Sequence, residues 1–556
     1  MGGRSRALSP QLCEQFLMFQ DARRVEEACA IDTTVCIIGG GVAGITLALE
    51  MEKAGIPTCL LESGGHDPDD ETRALNRGES AGFPYRFGDD CRSRFLGGAS
   101  NCWGGWCRPL DPWDFEARDW VPHSGWPFPY SELTPFYIRS LELLRLGPYN
   151  FDPEYWEREI GRKDVRRLPF AGGRVLDTIS QFSPPLRFGK AYRAQLASAK
   201  SVRVFLYANA VNIESTADAS VATGVQFATL SGRKGRVRAK VFVLAAGGIE
   251  NPRLLLASRD VQPTGLGNTY DLVGRYFMDH PRILSGRIDF APAWSRNKLF
   301  DIKFQYQNTA VAAHGTKVAG HLFLPFETQR AERLLNAHVW FSSVFPGEGT
   351  DSAQALIRAK QAMLHKIQPG WSPMRDLVTM FSHPLHTIGY AATRFWQPRS
   401  LIRGAHMQAI VEPQPDPDSR VMLSTTERDR LGMPLARVDW RLGENVKRTF
   451  DRAFAVLGGE LERNGIAKVA LDPPIEGGPW PETLEKEGTW HHMGATRMHD
   501  SPKQGVVDRE CKVHGMTNLY VAGSSVFPTA GANFPTITIT ALALRLAERI
   551  EHAAHD

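Results

Sequence analysis

Three glycines and a carboxylate mark the first place where this sequence can hold a charged ligand. Gly39-Gly-Gly41-Val-Ala-Gly44 fits the spacing GxGxxG, and Glu62 follows 18 residues after Gly44. The spacing alone is common in glycine-rich turns, so its neighbours matter. Val35 to Ile38 is apolar and β-rich, Val42 to Lys53 reads as a helix stopped by Gly55, and Thr58 to Leu61 reads as a second strand. In such a unit Gly39 permits the tight turn, Gly41 lets the backbone approach a diphosphate, and Gly44 allows close packing of helix on strand. The helix N-terminus offers unpaired N–H groups to the phosphates. Glu62 can accept hydrogen bonds from an adenosine ribose, with Ser63 beside it. The unit does not separate FAD from NAD, and a tight turn without a ligand is the plainer alternative.

Other reactive side chains are less patterned. The eight cysteines include no CxxC pair and no zinc spacing, so no metal is expected, and a reducing cytoplasm is the simplest home. Trp103, Trp106, Trp113, Trp120 and Trp126 crowd one region. They suit either stacking on a sugar face or packing in the core.

The elements that must position these groups follow from length and texture. A chain of 556 residues is too long for one ordinary core. A net charge of +4 gives no reason to invoke nucleic acid or an anionic membrane. No run is long and apolar enough to span a bilayer, and the opening residues do not read as a secretory signal. Residues 1–31 read as a charged helical extension, with a helix from Gln11 to Ala30. Residues 32–280 read as the first part of a nucleotide domain, with a loop-rich region at 66–150 and a strand near Val241 to Ala246. Residues 281–480 read as an inserted domain, with β-like segments at Met407 to Glu412 and Arg420 to Ser424. Residues 481–556 return to the nucleotide domain and finish in a helix from about Thr536 to Ala554. The fold class expected is α/β: a Rossmann-like domain with an inserted α+β domain. The stretch Ser352 to Arg403 contains helix-like pieces, the first from Ser352 to Ile367. A lid, a docking face for an electron-accepting partner, and a plain peripheral helix pair all fit it.

Several separated motifs resemble the glucose-methanol-choline (GMC) oxidoreductase family. They are Arg94-Phe-Leu-Gly97-Gly98-Ala-Ser100-Asn101-Cys102-Trp103, Val243-Leu-Ala-Ala246-Gly247-Gly-Ile-Glu250-Asn251-Pro252, and Val273-Gly-Arg275-Tyr-Phe-Met-Asp-His280-Pro281. Near the C-terminus come His491-His492-Met-Gly494-Ala-Thr-Arg497-Met498, Asn518-Leu-Tyr-Val-Ala-Gly523-Ser524, and Asn533-Phe534-Pro535-Thr536. The likeness is greatest to pyranose oxidase-like and glycoside-oxidising members. It implies non-covalent FAD, an antiparallel sheet in the inserted domain, and oxidation of a CH–OH group with hydride passing to flavin N5. The implied FAD contacts are Gly39, Gly41, Gly44, Glu62, Ser63, Arg94, Gly97, Gly98, Ser100, Asn101, Cys102 and Trp103. Ala210, Val211, Ala246, Gly247, Asn251, Gly523, Ser524, Phe534, Pro535 and Thr536 complete the set.

The resemblance also implies roles. The family's catalytic histidine stands seven residues before the Met of its motif, which lands on His491 as general base, with His492 as neighbour. The second catalytic position falls on Asn533, although Phe534 intervenes before Pro535; capping of the last helix is the alternative role. Pro535 suits the first turn of a helix whose N-terminus faces the flavin. At Cys102 a pyranose oxidase-like relative carries a flavin-linked histidine. A thioether is chemically open there, and packing beside the ring is the simpler reading. The expected partners are a small alcohol or sugar, and oxygen or a redox partner as electron acceptor. A GMC scaffold running another reaction class, or a flavin-binding subunit without catalysis, are the competing readings.

Overall fold

The structure, a computed structural model, describes residues 18–556 apart from 89–90, 171, 185, 296, 306–311, 364–371, 397–401, 483, 485–489 and 556. Its centre is a six-stranded sheet in which every neighbouring pair is parallel. The order is Phe19–Asp21, Val202–Leu206, Thr58–Leu61, Val35–Ile38, Val241–Leu244, Leu519–Val521. Every residue of Thr58–Leu61, Val35–Ile38 and Val241–Leu244 is buried. Continuous apolar strands of this kind suit a parallel sheet covered on both faces. Helix Val42–Lys53 follows the glycine turn, and the C-terminal helix Thr536–His555 packs against both it and helix Tyr130–Leu144. The expected strand, helix and strand between 35 and 61 thus have the bounds read from the sequence.

A second sheet is wholly antiparallel. Its main path runs Ala467–Ala470, Arg282–Phe290, Gly404–Val411, Ala337–Ser343, Thr316–Phe323, Leu176–Phe182, Trp106–Cys107, and Ala312–Ala313 pairs with Thr316–Phe323. The 20-residue helix Glu444–Arg463 buries Val446, Phe450, Phe454, Leu457 and Leu461 against it. Two strands of this sheet, Leu176–Phe182 and Trp106–Cys107, come from before residue 281. The inserted region is therefore interleaved with the nucleotide part rather than set apart. Two smaller sheets complete the fold, and one of them pairs Pro434–Trp440 with Gly78–Gly82 across the same division.

The helix expected from Gln11 to Ala30 is corrected over residues 18–30; the rest lies outside the described residues. Phe19–Asp21 is a strand paired in parallel with Val202–Leu206, a 3-10 turn covers Ala22–Arg24, and Cys29–Asp32 pairs with Lys234–Arg238. Charges that looked like a solvated helix face are a local pair instead: Arg23 Nη2 lies 2.7 Å from Asp21 Oδ2. Distant strands supply the pairing, which overrides local propensity.

Where the chain leaves the nucleotide layer and returns to it, Met278 and Met493 exchange backbone hydrogen bonds, each 2.9 Å.

Candidate active site

The glycine turn is shaped by contacts that no other residue permits. Gly39 has φ of +109°, and a Cβ there would lie 2.6 Å from the Ala245 carbonyl oxygen. At Gly44 a Cβ would lie 1.9 Å from the Gly39 oxygen, so helix and strand touch backbone to backbone. Gly41 differs: its nearest neighbour would be Gly98 Cα at 3.9 Å, and no side chain caps the helix that it begins. The turn is therefore tight behind and open in front. A diphosphate fits such an arrangement, because unpaired N–H groups face an unfilled cradle.

That cradle is one end of a cavity of about 520 Å³. Glu62, Ser63, Arg94, Gly98, Ser100 and Ala210 line the same cavity. The Glu62 carboxylate accepts from Gly40 N at 2.9 Å and Gly64 N at 2.8 Å. Burial pushes its pKa up, and these backbone bonds oppose the rise. Arg92 and Arg94 meet Glu250 at 2.5 and 3.1 Å, so the positive charge near the turn is held in place. Burial opposes ionisation of Glu250, but Arg253, Arg94 and Arg92 outweigh it and hold the carboxyl well below its usual range.

Cys102, Trp103, Ala246, Gly247, Gly523, Ser524, Phe534, Pro535 and Thr536 also line the cavity, as His491 does. Trp106, Trp340, Trp490, Arg282 and Ile302 join them there. Cys102 donates from Sγ to the Ala99 carbonyl at 3.3 Å. Gly44, Gly97, Asn101, Val211 and Asn251 stand behind the wall rather than in it. Asn251, for example, accepts from Ala246 N at 2.8 Å and donates to the Ala522 carbonyl at 3.1 Å, which ties two lining loops together. Of the five tryptophans read together, Trp103 and Trp106 reach the cavity, while Trp120 and Trp126 are core residues and Trp113 stacks on Phe326 at 5.6 Å.

His491 is half-buried and held from behind. Its Nδ1 lies 2.9 Å from His280 Nδ1, and His280 Nε2 lies 2.7 Å from the Gly531 carbonyl oxygen. Its backbone N–H donates to Asp279 Oδ1 at 2.7 Å, and Asp279 Oδ2 accepts from the Tyr85 hydroxyl at 3.0 Å. Burial pushes the His491 pKa well below the ordinary imidazole range, and His280, Arg282 and His492 add to the shift. Burial likewise lowers His280 to about 4 and His492 to about 3. His280 lies within the Val273–Pro281 motif, whose spacing signals no role for it. Its partner is 211 residues away.

Asn533 is not among the residues that line the cavity. It is 1% exposed, and its amide donates to Asp111 Oδ2 at 3.2 Å. The inserted Phe534 takes the lining position instead, stacked on Trp106 at 5.0 Å. Asp111 also accepts from Arg108 at 2.6 Å and from Asn336 at 2.9 Å. Burial resists its ionisation, yet Arg108 and His338 keep it a carboxylate with a depressed pKa.

Comparisons with known proteins agree with this geometry. A sequence model of the GMC oxidoreductases matches residues 415–543, and one of FAD dependent oxidoreductases matches residues 34–266. The 2-methyl-1,2-propanediol dehydrogenase of Mycolicibacterium austroafricanum is 25% identical, covering 95% of this chain and 96% of that one. The fructose dehydrogenase large subunit of Gluconobacter japonicus is 24% identical, covering 94% and 98%. Pyridoxine 4-oxidase from Mesorbium loti superposes with a TM-score of 0.55 at 15% identity, covering 94% of this chain and 99% of that one, which supports the fold. With the glycine cradle, the antiparallel wall and the C-terminal histidine loop in place, the chain belongs to the GMC oxidoreductase family and is an FAD-dependent oxidoreductase of CH–OH donors.

Proposed function

We propose that the chain oxidises a CH–OH carbon of a sugar, glycoside or polyol to a carbonyl, with His491 as the base that takes the hydroxyl proton. Bound FAD supplies the hydride acceptor. An alcohol proton has a pKa far above 7, so carbon gives up hydride readily only as a nearby base withdraws that proton.

The observation that carries this reading is the pair of imidazoles. A carbonyl oxygen only accepts, so the 2.7 Å contact to Gly531 puts a proton on His280 Nε2. In neutral His280 the other nitrogen, Nδ1, is then an acceptor, and His491 donates to it from Nδ1. His491 Nε2 is left with its lone pair, which suits a general base. The depressed pKa keeps the ring neutral and ready to accept at physiological pH. His280 acts through His491, as a positioning residue. Asp279 accepts from the His491 backbone N–H and so fixes the loop that carries the ring.

Support for the substrate class is chemical and comparative. Trp106, Trp340 and Trp490 offer aromatic surface to the C–H face of a ring, and Arg282 adds a cationic donor. Two of the long relatives are a 2-methyl-1,2-propanediol dehydrogenase and a fructose dehydrogenase large subunit. A glycoside-oxidising branch is proposed on the same footing, with oxygen or a redox partner as acceptor. A cytoplasmic location is proposed because the described cysteines form no disulfide.

Anaerobic mixing of the FAD-loaded enzyme with 2-methyl-1,2-propanediol, D-fructose and methyl glucosides tests the reading. At least one should bleach the flavin, and His491→Asn should slow that bleaching by on the order of 10²- to 10⁴-fold. Bleaching by none of them rejects the substrate class. An unchanged rate in His491→Asn rejects the base.

A further inference from the structure

Two helices wear their apolar stripes outward. In Pro373–Ser382, Met374, Leu377, Val378 and Phe381 share one face at helical spacing, and they are 69, 43, 61 and 78% exposed. In Pro384–Trp396, Leu385, Ile388 and Trp396 are 83, 64 and 78% exposed. A surface helix ordinarily turns such a stripe to the core. Here the inward positions are Asp376, Tyr390 and Thr393. Asp376 is paired with Arg358 at 2.5 Å, and Tyr390 packs with Phe304, Phe345, Ala353 and Ile402. The hairpin is thus docked on the body through its polar and aromatic side, on a cluster whose Phe304 stands two residues after Ile302 of the cavity wall.

Charge decides what would cover the apolar side. Between residues 372 and 396 the one carboxylate is Asp376, and it is buried and already paired. Arg375, His383 and His386 are exposed beside the stripes, and Trp396 stands at the end of the second helix. An apolar face that carries the exposed Arg375, has no exposed carboxylate of its own between residues 372 and 396 and ends in a tryptophan complements an anionic lipid surface. A protein partner or a second copy would more often meet a polar rim of mixed charge. The whole-chain balance of +4 conceals this local pattern.

We propose that the hairpin Pro373–Trp396 lies in the interface of an anionic phospholipid bilayer, with Met374, Phe381, Leu385, Ile388 and Trp396 immersed at the headgroup boundary. It lies on the membrane: no helix among the described residues is long and apolar enough to cross one.

Flotation of the FAD-loaded enzyme with phosphatidylcholine vesicles, with and without phosphatidylglycerol, tests this. The bound fraction should rise with phosphatidylglycerol and fall with added salt. The double variant Phe381→Asp/Leu385→Asp should bind about tenfold less or weaker still. Its far-ultraviolet spectrum and its flavin bleaching by a soluble alcohol should stay unchanged, since neither residue lines the cavity. The proposal is overturned if the wild-type enzyme stays with the unbound fraction at every composition, or if the double variant floats equally well. It is also overturned if light scattering shows a dimer that the double variant splits, since a second copy would then be the occupant.

Discussion

At the diphosphate end of the cavity, position is set by backbone: Gly39, Gly41 and Gly44 leave no room behind the turn and open space before it. At the reaction end, position is set by side chains drawn from far apart: His280 on His491, Asp279 on the His491 backbone, and Asp111 on Asn533. Backbone shape depends on residue size alone and survives most changes around it. A side-chain network depends on every member keeping its proton and its partner. The first end should therefore fail by misfolding or lost binding, and the second by lost rate.

The largest expected effect is at the first end. Gly44→Ala should cost about 3 kcal/mol or more, because its Cβ would meet the Gly39 oxygen at 1.9 Å and both groups are backbone. Gly41→Ala should fold normally and hold FAD only about tenfold more weakly, near 1.4 kcal/mol. Thermal melts with FAD titration separate the two, and equal loss of stability in both would break the contrast.

Acid should act next, through the second end. His280 is buried neutral with a pKa near 4, against about 6.5 in an unfolded chain, so the unfolded state binds more protons between those values. Its contribution is present above about pH 6.5 and is lost as pH falls towards 4, reaching roughly 3 kcal/mol. Tm measured across this range should drop, and it should drop less in His280→Leu.

The rate effect of the same residue follows. His280→Leu removes the acceptor for His491 Nδ1 and should slow flavin reduction roughly 100-fold. His280→Asn keeps an oxygen acceptor and should recover much of the rate. Stopped-flow reduction checks both, and equal rates in the two variants would break the link. The smallest effect is expected at Asn533. Asn533→Ala should lower stability by about 1 kcal/mol, the usual worth of one buried hydrogen bond. Its flavin reduction should change less than tenfold, since its amide serves Asp111.

This contrast also explains what was legible in the sequence. The turn at 39–44 could be read because a glycine requirement is local, and the bounds of its strand and helix followed from local periodicity. Residues 18–32 could not, because their strands are made by partners near residues 204 and 236. His491, proposed as the base, is singled out by its place in a motif, and the structure puts it in the cavity wall. The role of His280 was missed because it exists only through a contact 211 residues away. Asn533 has the right chemistry, yet its amide is bound to Asp111, 422 residues distant, and it is not among the residues that line the cavity.

The paired Met278 and Met493 backbones bring the departure and the return of the middle region side by side, with His280 and His491 just beyond them. The imidazole pair is thus anchored at the neck of the insertion rather than within it. Surface loops of the region between, away from the strands it shares with the rest of the chain, can therefore change length without moving the imidazole pair. New substrate preferences can then arise in those loops while the two histidines keep their places.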